Sequence, residues 1–253
     1  MSVETGAVGP ELANIVTIIA HKFPGSVFAK YLLFWEYVIF SFIIAVILGF
    51  FTYFACRKSL MIPGRLQAAV EIVVGGLDDF VCGILGPQGR EFTPFIGTLF
   101  LYILFMNLFG LVPLMKSSTA SWSTTLALAL CVFLYVQYTA IKEMGFLGYF
   151  DHLAGKPRGG LALSIVLPLL LFFLHVITEL IRPISLSLRL RSNIWGDDVL
   201  LAVLAGFGLS GVPLLFFNTL LCILTAVVQA VVFCLLSTIY FALTLTHEEE
   251  KVV

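Results

Sequence analysis

Long, mainly apolar segments alternate with short polar ones along this chain. The first, residues 31–56, contains one charged residue, Glu36 near its start, and is longer than the roughly 20 residues that cross a hydrocarbon core. Four further segments of this kind follow it: 95–115, 123–141, 161–207 and 214–246. The pattern predicts about five membrane-spanning helices.

One stretch between the first two segments has a different pattern. Residues 66–85 carry polar side chains among apolar ones at helical spacing, and these are Gln67, Glu71, Asp78 and Asp79. Such a helix is too polar to cross a membrane comfortably, but it can lie along the surface with its apolar side inward. We expect an amphipathic helix on the cytoplasmic surface.

The last two apolar segments are longer than a membrane requires. A helix over 161–207 would be about 70 Å long, against a hydrocarbon core of roughly 30 Å. Either this helix is strongly tilted, or it breaks near Pro183, where the missing N–H permits a kink. With a turn at 208–213, the two segments predict a long hairpin over 161–246, followed by a tail at 247–253.

Composition agrees with this pattern. The chain has 253 residues, of which 60% are hydrophobic and 11% charged, with a mean hydropathy of +1.07, whereas soluble domains average about 25% charged residues. This excludes a soluble globular or disordered protein. A net charge of −1 without clustered basic residues excludes a nucleic-acid partner. The expected organisation is a single all-α membrane domain at 31–253, preceded by an outside segment at 1–30.

Basic residues predict the orientation, because they concentrate on the cytoplasmic side of membrane proteins. With the N-terminus outside and the C-terminus in the cytoplasm, three basic residues fall outside: Lys22, Lys30 and Lys116. Eight fall on the cytoplasmic side: Arg57, Lys58, Arg65, Arg90, Lys142, Lys156, Arg158 and Lys251. The excess favours this orientation.

The remaining three basic residues, Arg182, Arg189 and Arg191, lie inside an apolar segment, where an arginine costs about 2.5–3.5 kcal/mol on insertion scales. Glu179 can neutralise Arg182 at i+3 spacing, but Arg189 has no carboxylate three or four residues away. We therefore expect its partner on another helix or chain. At 100° per residue, one helix face collects six polar side chains within about 40°: His175, Glu179, Arg182, Arg189, Asn193 and Asp197.

The final segment has a polar row of its own. Its members share one helical face and are Asn218, Cys222, Thr225 and Gln229. Two such rows on adjacent helices could line a path, or they could form the ordinary hydrogen bonds that join membrane helices. The five cysteines lack metal spacing, and a GxGxxG match at 206–211 has no βαβ context. We expect no metal and no cofactor.

The residues also carry a family resemblance. The run 182–193, Arg-Pro-Ile-Ser-Leu-Ser-Leu-Arg-Leu-Arg-Ser-Asn, with Gln229 forty residues after Arg189, closely resembles subunit a of F-type ATP synthases. The stretches 63–67 with Glu71, and 107–113, agree with it. The resemblance covers about residues 30–250.

The resemblance implies a non-catalytic stator subunit in a bacterial inner or plasma membrane. In that family, the subunit presents two proton half-channels to a rotating ring of c subunits and joins the b-subunit peripheral stalk. Arg189 then matches the stator arginine, with Asn193 and Gln229 beside it, and Gln229 placed where it could bond or orient Arg189.

The resemblance also assigns the half-channels. Asp198 falls in the half-channel open to the outside, and Glu179 and His175 fall toward the cytoplasmic one. The chain departs from the family pattern at Cys222, where relatives often have His or Glu, which leaves three substitutes for the outer path: Asp197, Asp198 and Asn218.

Two questions stay open at this point. Arg191 projects away from Arg189 and could pair with Asp197 or Asp198. A self-contained secondary transporter or ion channel is the alternative function, since intramembrane charges could form a substrate site. An internal repeat, which many such transporters show, is absent from the sequence. Whether the translocated ion is H⁺ or Na⁺ depends largely on the binding site of the c-subunit ring, and we take protons as the default.

Overall fold

The described part of the chain is helical throughout. The computed structural model describes residues 31, 34–56, 64–112, 115, 117–145 and 163–252, and these contain no strand. Their long helices are α1 (Glu36–Cys56), α2 (Arg65–Leu85), α3 (Thr93–Phe109), α4 (Trp122–Met144), α5 (Leu163–Ala205) and α6 (Val212–Val252). The all-α prediction is confirmed, and the predicted outside segment 1–30 lies beyond the described residues.

Four of these helices are long and apolar enough to cross a membrane, over Glu36–Phe54, Trp122–Lys142, Leu170–Leu204 and Val212–Thr244. The fifth predicted span, α3, is apolar but has only 17 residues, or about 25 Å. It ends six residues before the predicted limit of 115. The chain folds back at Gly110, directly after the helix, where an added Cβ would lie 2.6 Å from the Cβ of Ser117.

The last two helices form the predicted long hairpin. α5 is continuous for 43 residues through the buried Pro183, so the alternative of a break there is wrong. A straight helix of that length, about 64 Å, fits a core of roughly 30 Å only with a strong tilt. α6 continues for 41 residues to Val252, so the residues predicted as a tail extend the helix instead. The turn between them includes Gly208, whose φ of +60° favours glycine.

The core lies among α3, α4, α5 and α6. Its fully buried side chains include Ile96 and Ile103 of α3, Val132 of α4, Leu190 of α5 and Phe233 of α6. The Ser187 Oγ of α5 also donates a 3.1 Å hydrogen bond to the Thr125 Oγ1 of α4. These contacts fix the rotation of α5 about its axis, and hence the direction in which its polar side chains point.

The polar stretch predicted to lie on the membrane surface forms α2, whose three acidic residues keep it out of the apolar spans. Asp78 near its end accepts a 2.8 Å hydrogen bond from the Thr93 Oγ1 of α3 and lies 3.5 Å from the Nε of Arg90. The Thr93 hydrogen bond is the largest influence and lowers the pKa of Asp78, and the Arg90 charge adds to it. This cluster joins α2 to α3.

Candidate functional site

The polar row of α5 lies against α4 and α6. Five of its six members are half-buried, and Arg189 is exposed. Their partners come from the two neighbouring helices and are described below from the N-terminal end of α5 to its C-terminal end.

At the N-terminal end, Glu179 and Arg182 form an ion pair with 2.7 Å between Oε1 and Nη1. This confirms the predicted i+3 pairing. The other carboxylate oxygen of Glu179 accepts a 2.9 Å hydrogen bond from the Nε2 of Gln137 on α4, and the Arg182 guanidinium lies 5.2 Å from the ring centre of Tyr240 on α6. One turn earlier, the Nδ1 of His175 is 3.1 Å from the backbone oxygen of Leu171. The ion pair thus bridges three helices.

Near the middle of the row, Asn193 and Gln229 join α5 to α6. The Nδ2 of Asn193 donates to the Oε1 of Gln229 at 2.6 Å. Gln229 is 3% exposed, and its Nε2 has no hydrogen-bond partner among the described residues. The two polar rows predicted from the sequence therefore do meet, but the hydrogen bond of Gln229 goes to Asn193 and not to Arg189.

Arg189 lies one turn before Asn193 and has no counter-ion among the described residues. Its neighbours Leu186 and Leu190 are buried at 2% and 0% exposure, while Arg189 itself is exposed. The only ion pairs within the described residues are Arg90–Asp78 and Arg182–Glu179. The sequence predicted no carboxylate partner on α5, and the fold supplies none from the described parts of α4 or α6. A fixed cation is thus presented at the surface of the hairpin.

Arg191 has a different environment. Its guanidinium lies 5.2 Å from the ring centre of Trp122, the first residue of α4, which is within cation–π range. The structure shows this contact for Arg191 and no ion pair with Asp197 or Asp198 among the described residues. Helical side chains lean toward the N-terminus of their helix, so Arg191 points away from two residues that follow it by six and seven positions.

At the C-terminal end of the row, the fold separates the two aspartates. Asp197 is half-buried and lies beside the Cys222 thiol of α6, whereas Asp198 is exposed. Asn218, one turn from Cys222, is 3% exposed, and within the described part of the chain its Nδ2 has no hydrogen-bond partner. Asp197 is therefore the aspartate that faces the interior of the hairpin.

Three contacting residues were not anticipated from the sequence: Gln137, Tyr240 and Trp122. A signal existed for one of them, because Tyr240 follows Gln229 by eleven positions and so continues the polar face of α6. Within the described residues no group of three or more His, Cys, Asp or Glu side chains could hold a metal ion.

Comparison with known proteins decides the family. A sequence model described as ATP synthase A chain matches residues 38–242. The chain belongs to this family. The match to the ATP synthase A chain includes nearly all of α1, the whole of α2 to α5 and most of α6, and thus every residue of the polar row. The resemblance noted in the sequence is confirmed.

Relatives of this chain come from several bacteria. ATP synthase subunit a of Protochlamydia amoebophila is 40% identical over 96% of this chain and 92% of the relative. Subunit a of Oleidesulfovibrio alaskensis is 38% identical over 84% of this chain and 87% of the relative. Subunit a of Helicobacter pylori (strain P12) is 36% identical over 78% of this chain and 84% of the relative. With its apolar helices, the chain is a multi-pass membrane member of the family.

Proposed function

We propose that this chain is subunit a of an F-type ATP synthase, the stationary, non-catalytic subunit that couples proton movement to rotation of a c-subunit ring. Family membership and the names of the relatives support this assignment. One structural observation carries the mechanism: Arg189 is exposed on the hairpin and has no counter-ion among the described residues.

An exposed arginine at this position suits a rotary stator. Its guanidinium keeps its proton under all physiological conditions, and an adjacent positive charge favours the ionised form of a carboxylate. A ring carboxylate that reaches Arg189 would therefore release its proton, and the fixed charge would repel a proton that tried to pass directly. Protons must enter the ring through one half-channel, ride around with it and leave through the other.

The remaining polar side chains are assigned to the two half-channels. We place Asp197, Asp198 and Asn218 in the outer one, since Asp197 and Asn218 face the interior of the hairpin near Cys222. Glu179 and His175 lie at the end of the polar row that we place toward the cytoplasmic half-channel. The hydrogen bond between Asn193 and Gln229 supports the face of α5 that carries Arg189.

The same assignment defines the partners and the location. The c-subunit ring would pass Arg189, the b-subunit stalk would hold the chain stationary, and ATP would be made on other subunits of the complex. We place the protein in a bacterial inner or plasma membrane, with its N-terminus outside and its C-terminus in the cytoplasm, as the excess of basic residues in the predicted cytoplasmic loops indicates.

ATP-driven proton pumping tests the proposal, measured in membrane vesicles that carry the whole complex. Arg189→Ala should abolish pumping while the complex still assembles, because no fixed charge remains to ionise the ring carboxylate. Arg191→Ala is the matched control, since its guanidinium contacts Trp122 instead, and it should keep most of the activity. Normal pumping by Arg189→Ala would refute the assignment and favour a self-contained transporter.

A further inference from the structure

Two arginines lie on the same face of α5, and only one of them has a counter-ion. Arg182 and Arg189 are seven residues apart, which places them about 10 Å from each other along the helix axis. Arg182 is paired with Glu179 at 2.7 Å, and Arg189 has no carboxylate within ion-pair distance among the described residues. The face therefore carries one uncompensated positive charge instead of two.

Both oxygens of the Glu179 carboxylate are engaged. Oε1 lies 2.7 Å from the Nη1 of Arg182, and Oε2 accepts a 2.9 Å hydrogen bond from the Nε2 of Gln137. A carboxylate that carried protons would have to release one of these donors in every cycle. The ring of Tyr240 also contacts the Arg182 guanidinium. Side chains from α4, α5 and α6 therefore hold the Glu179–Arg182 ion pair in place.

We propose that Glu179 is the counter-ion of Arg182 and not a proton carrier, and that it leaves Arg189 as the only net cation on this described face of α5. This inference rests on the proposed stator function. A ring carboxylate that leaves Arg189 would meet a second attractive charge at Arg182 if Glu179 were neutral. At an effective dielectric constant of about 20, a unit charge about 10 Å away changes an equilibrium on the order of tenfold, which is enough to hold the ring in one position.

The experiment measures the ATP-driven pumping rate per assembled complex, in vesicles that carry the whole synthase. Glu179→Gln should lower the rate on the order of tenfold, because Arg182 then has no counter-ion and attracts the ring carboxylate as it leaves Arg189. Arg182→Gln should also lower it, because the bare carboxylate of Glu179 repels the ring carboxylate. The double variant, Glu179→Gln with Arg182→Gln, carries neither charge and should recover at least about half of the wild-type rate. Glu71→Gln, an exposed carboxylate change on α2, is the control and should pump normally.

Each outcome decides the proposal. If Glu179 carries protons, the double variant stays as slow as Glu179→Gln, and the counter-ion role is refuted. A wild-type rate for Glu179→Gln alone refutes it as well. If Glu179→Gln does not assemble, Arg182→Gln is compared with the double variant: recovery on adding the second change supports the proposal, and further loss refutes it.

The stator assignment is tested separately. Normal pumping by Arg189→Ala would contradict the proposed function, whatever the Glu179 variants do. Loss of pumping in Arg189→Ala, together with a slow double variant, would leave the stator function standing and refute the role given to Glu179.

Discussion

The Asn193–Gln229 hydrogen bond should measurably stabilise the α5–α6 hairpin. Asn193 donates to Gln229 at 2.6 Å, and the Gln229 amide is 3% exposed with its own Nε2 unpaired. In Asn193→Leu the amide oxygen of Gln229 also loses its partner. An unsatisfied buried polar group costs about 1–3 kcal/mol in water-soluble proteins, whereas hydrogen bonds between membrane helices average about 0.6 kcal/mol, with a maximum near 1.7.

We therefore expect a coupling energy of about 1 kcal/mol between the two side chains, toward the upper part of the membrane range, because the described structure gives Gln229 no other side-chain partner. The measurement is a double-mutant cycle of Asn193→Leu, Gln229→Leu and the double variant. Unfolding in mixed micelles, titrated with a denaturing detergent, reports the free energy of each variant. The double variant should be less destabilised than the sum of the two single changes.

Strict additivity of the two single changes would refute this reasoning. It would mean that the hydrogen bond contributes nothing net, and that another group compensates the Gln229 oxygen when Asn193 is removed. A pumping assay on the same variants separates stability from function, because loss of the bond should loosen the helix face that presents Arg189 and lower the rate even where the complex assembles.

Two further predictions concern the packing around α3. Gly110→Ala should destabilise the protein by about 1–3 kcal/mol in the same unfolding assay, since its Cβ would lie 2.6 Å from the Cβ of Ser117. Thr93→Val should raise the pKa of Asp78, measured by infrared titration of an isotope-labelled carboxylate, because the hydroxyl hydrogen bond is the main influence that lowers it. A lowered native pKa stabilises the fold above the unfolded value of 3.8, and this stabilisation is lost as pH falls through the native pKa.

Matched controls lie on the same helix. Gly97→Ala meets only an ordinary 3.7 Å contact with Leu77 and should be nearly neutral; equal losses at positions 97 and 110 would contradict the steric argument. Thr98→Val removes a hydroxyl that bonds the backbone of its own helix, so the pKa of Asp78 should not move. A shift equal to that of Thr93→Val would show that the hydrogen bond is not the cause.

Local patterns predicted much of the fold and the site. The apolar lengths identified the spans, and i+3 spacing identified the Glu179–Arg182 pair, since both depend only on neighbours along the chain. The sequence alone does not decide between a tilted helix and a break at Pro183, because a proline removes one helical hydrogen bond. In the structure Pro183 is buried beside side chains of α4 and α6, and α5 continues through it without a break.

Contacts between helices could not be predicted in the same way. The sequence placed polar rows on α5 and α6, but the partner of each side chain depends on how far the helices slide and rotate against each other. The observed register pairs Asn193 with Gln229 and turns Asp197, not Asp198, toward Cys222. Arg191 meets Trp122 for the same reason, because the start of α4 lies beside it.

The sequence by itself determined that this chain is an all-α membrane protein with an arginine that its own helix does not neutralise. Both properties follow from hydropathy and from the spacing of charges along one helix. Only the tertiary structure decided that Arg189 stays exposed, while Arg182 lies against Tyr240 and its partner Glu179 also accepts a hydrogen bond from Gln137. The physical reason is that a charge is compensated by whatever group packing brings within a few ångströms, and residues forty or more positions away approach only when the helices have docked.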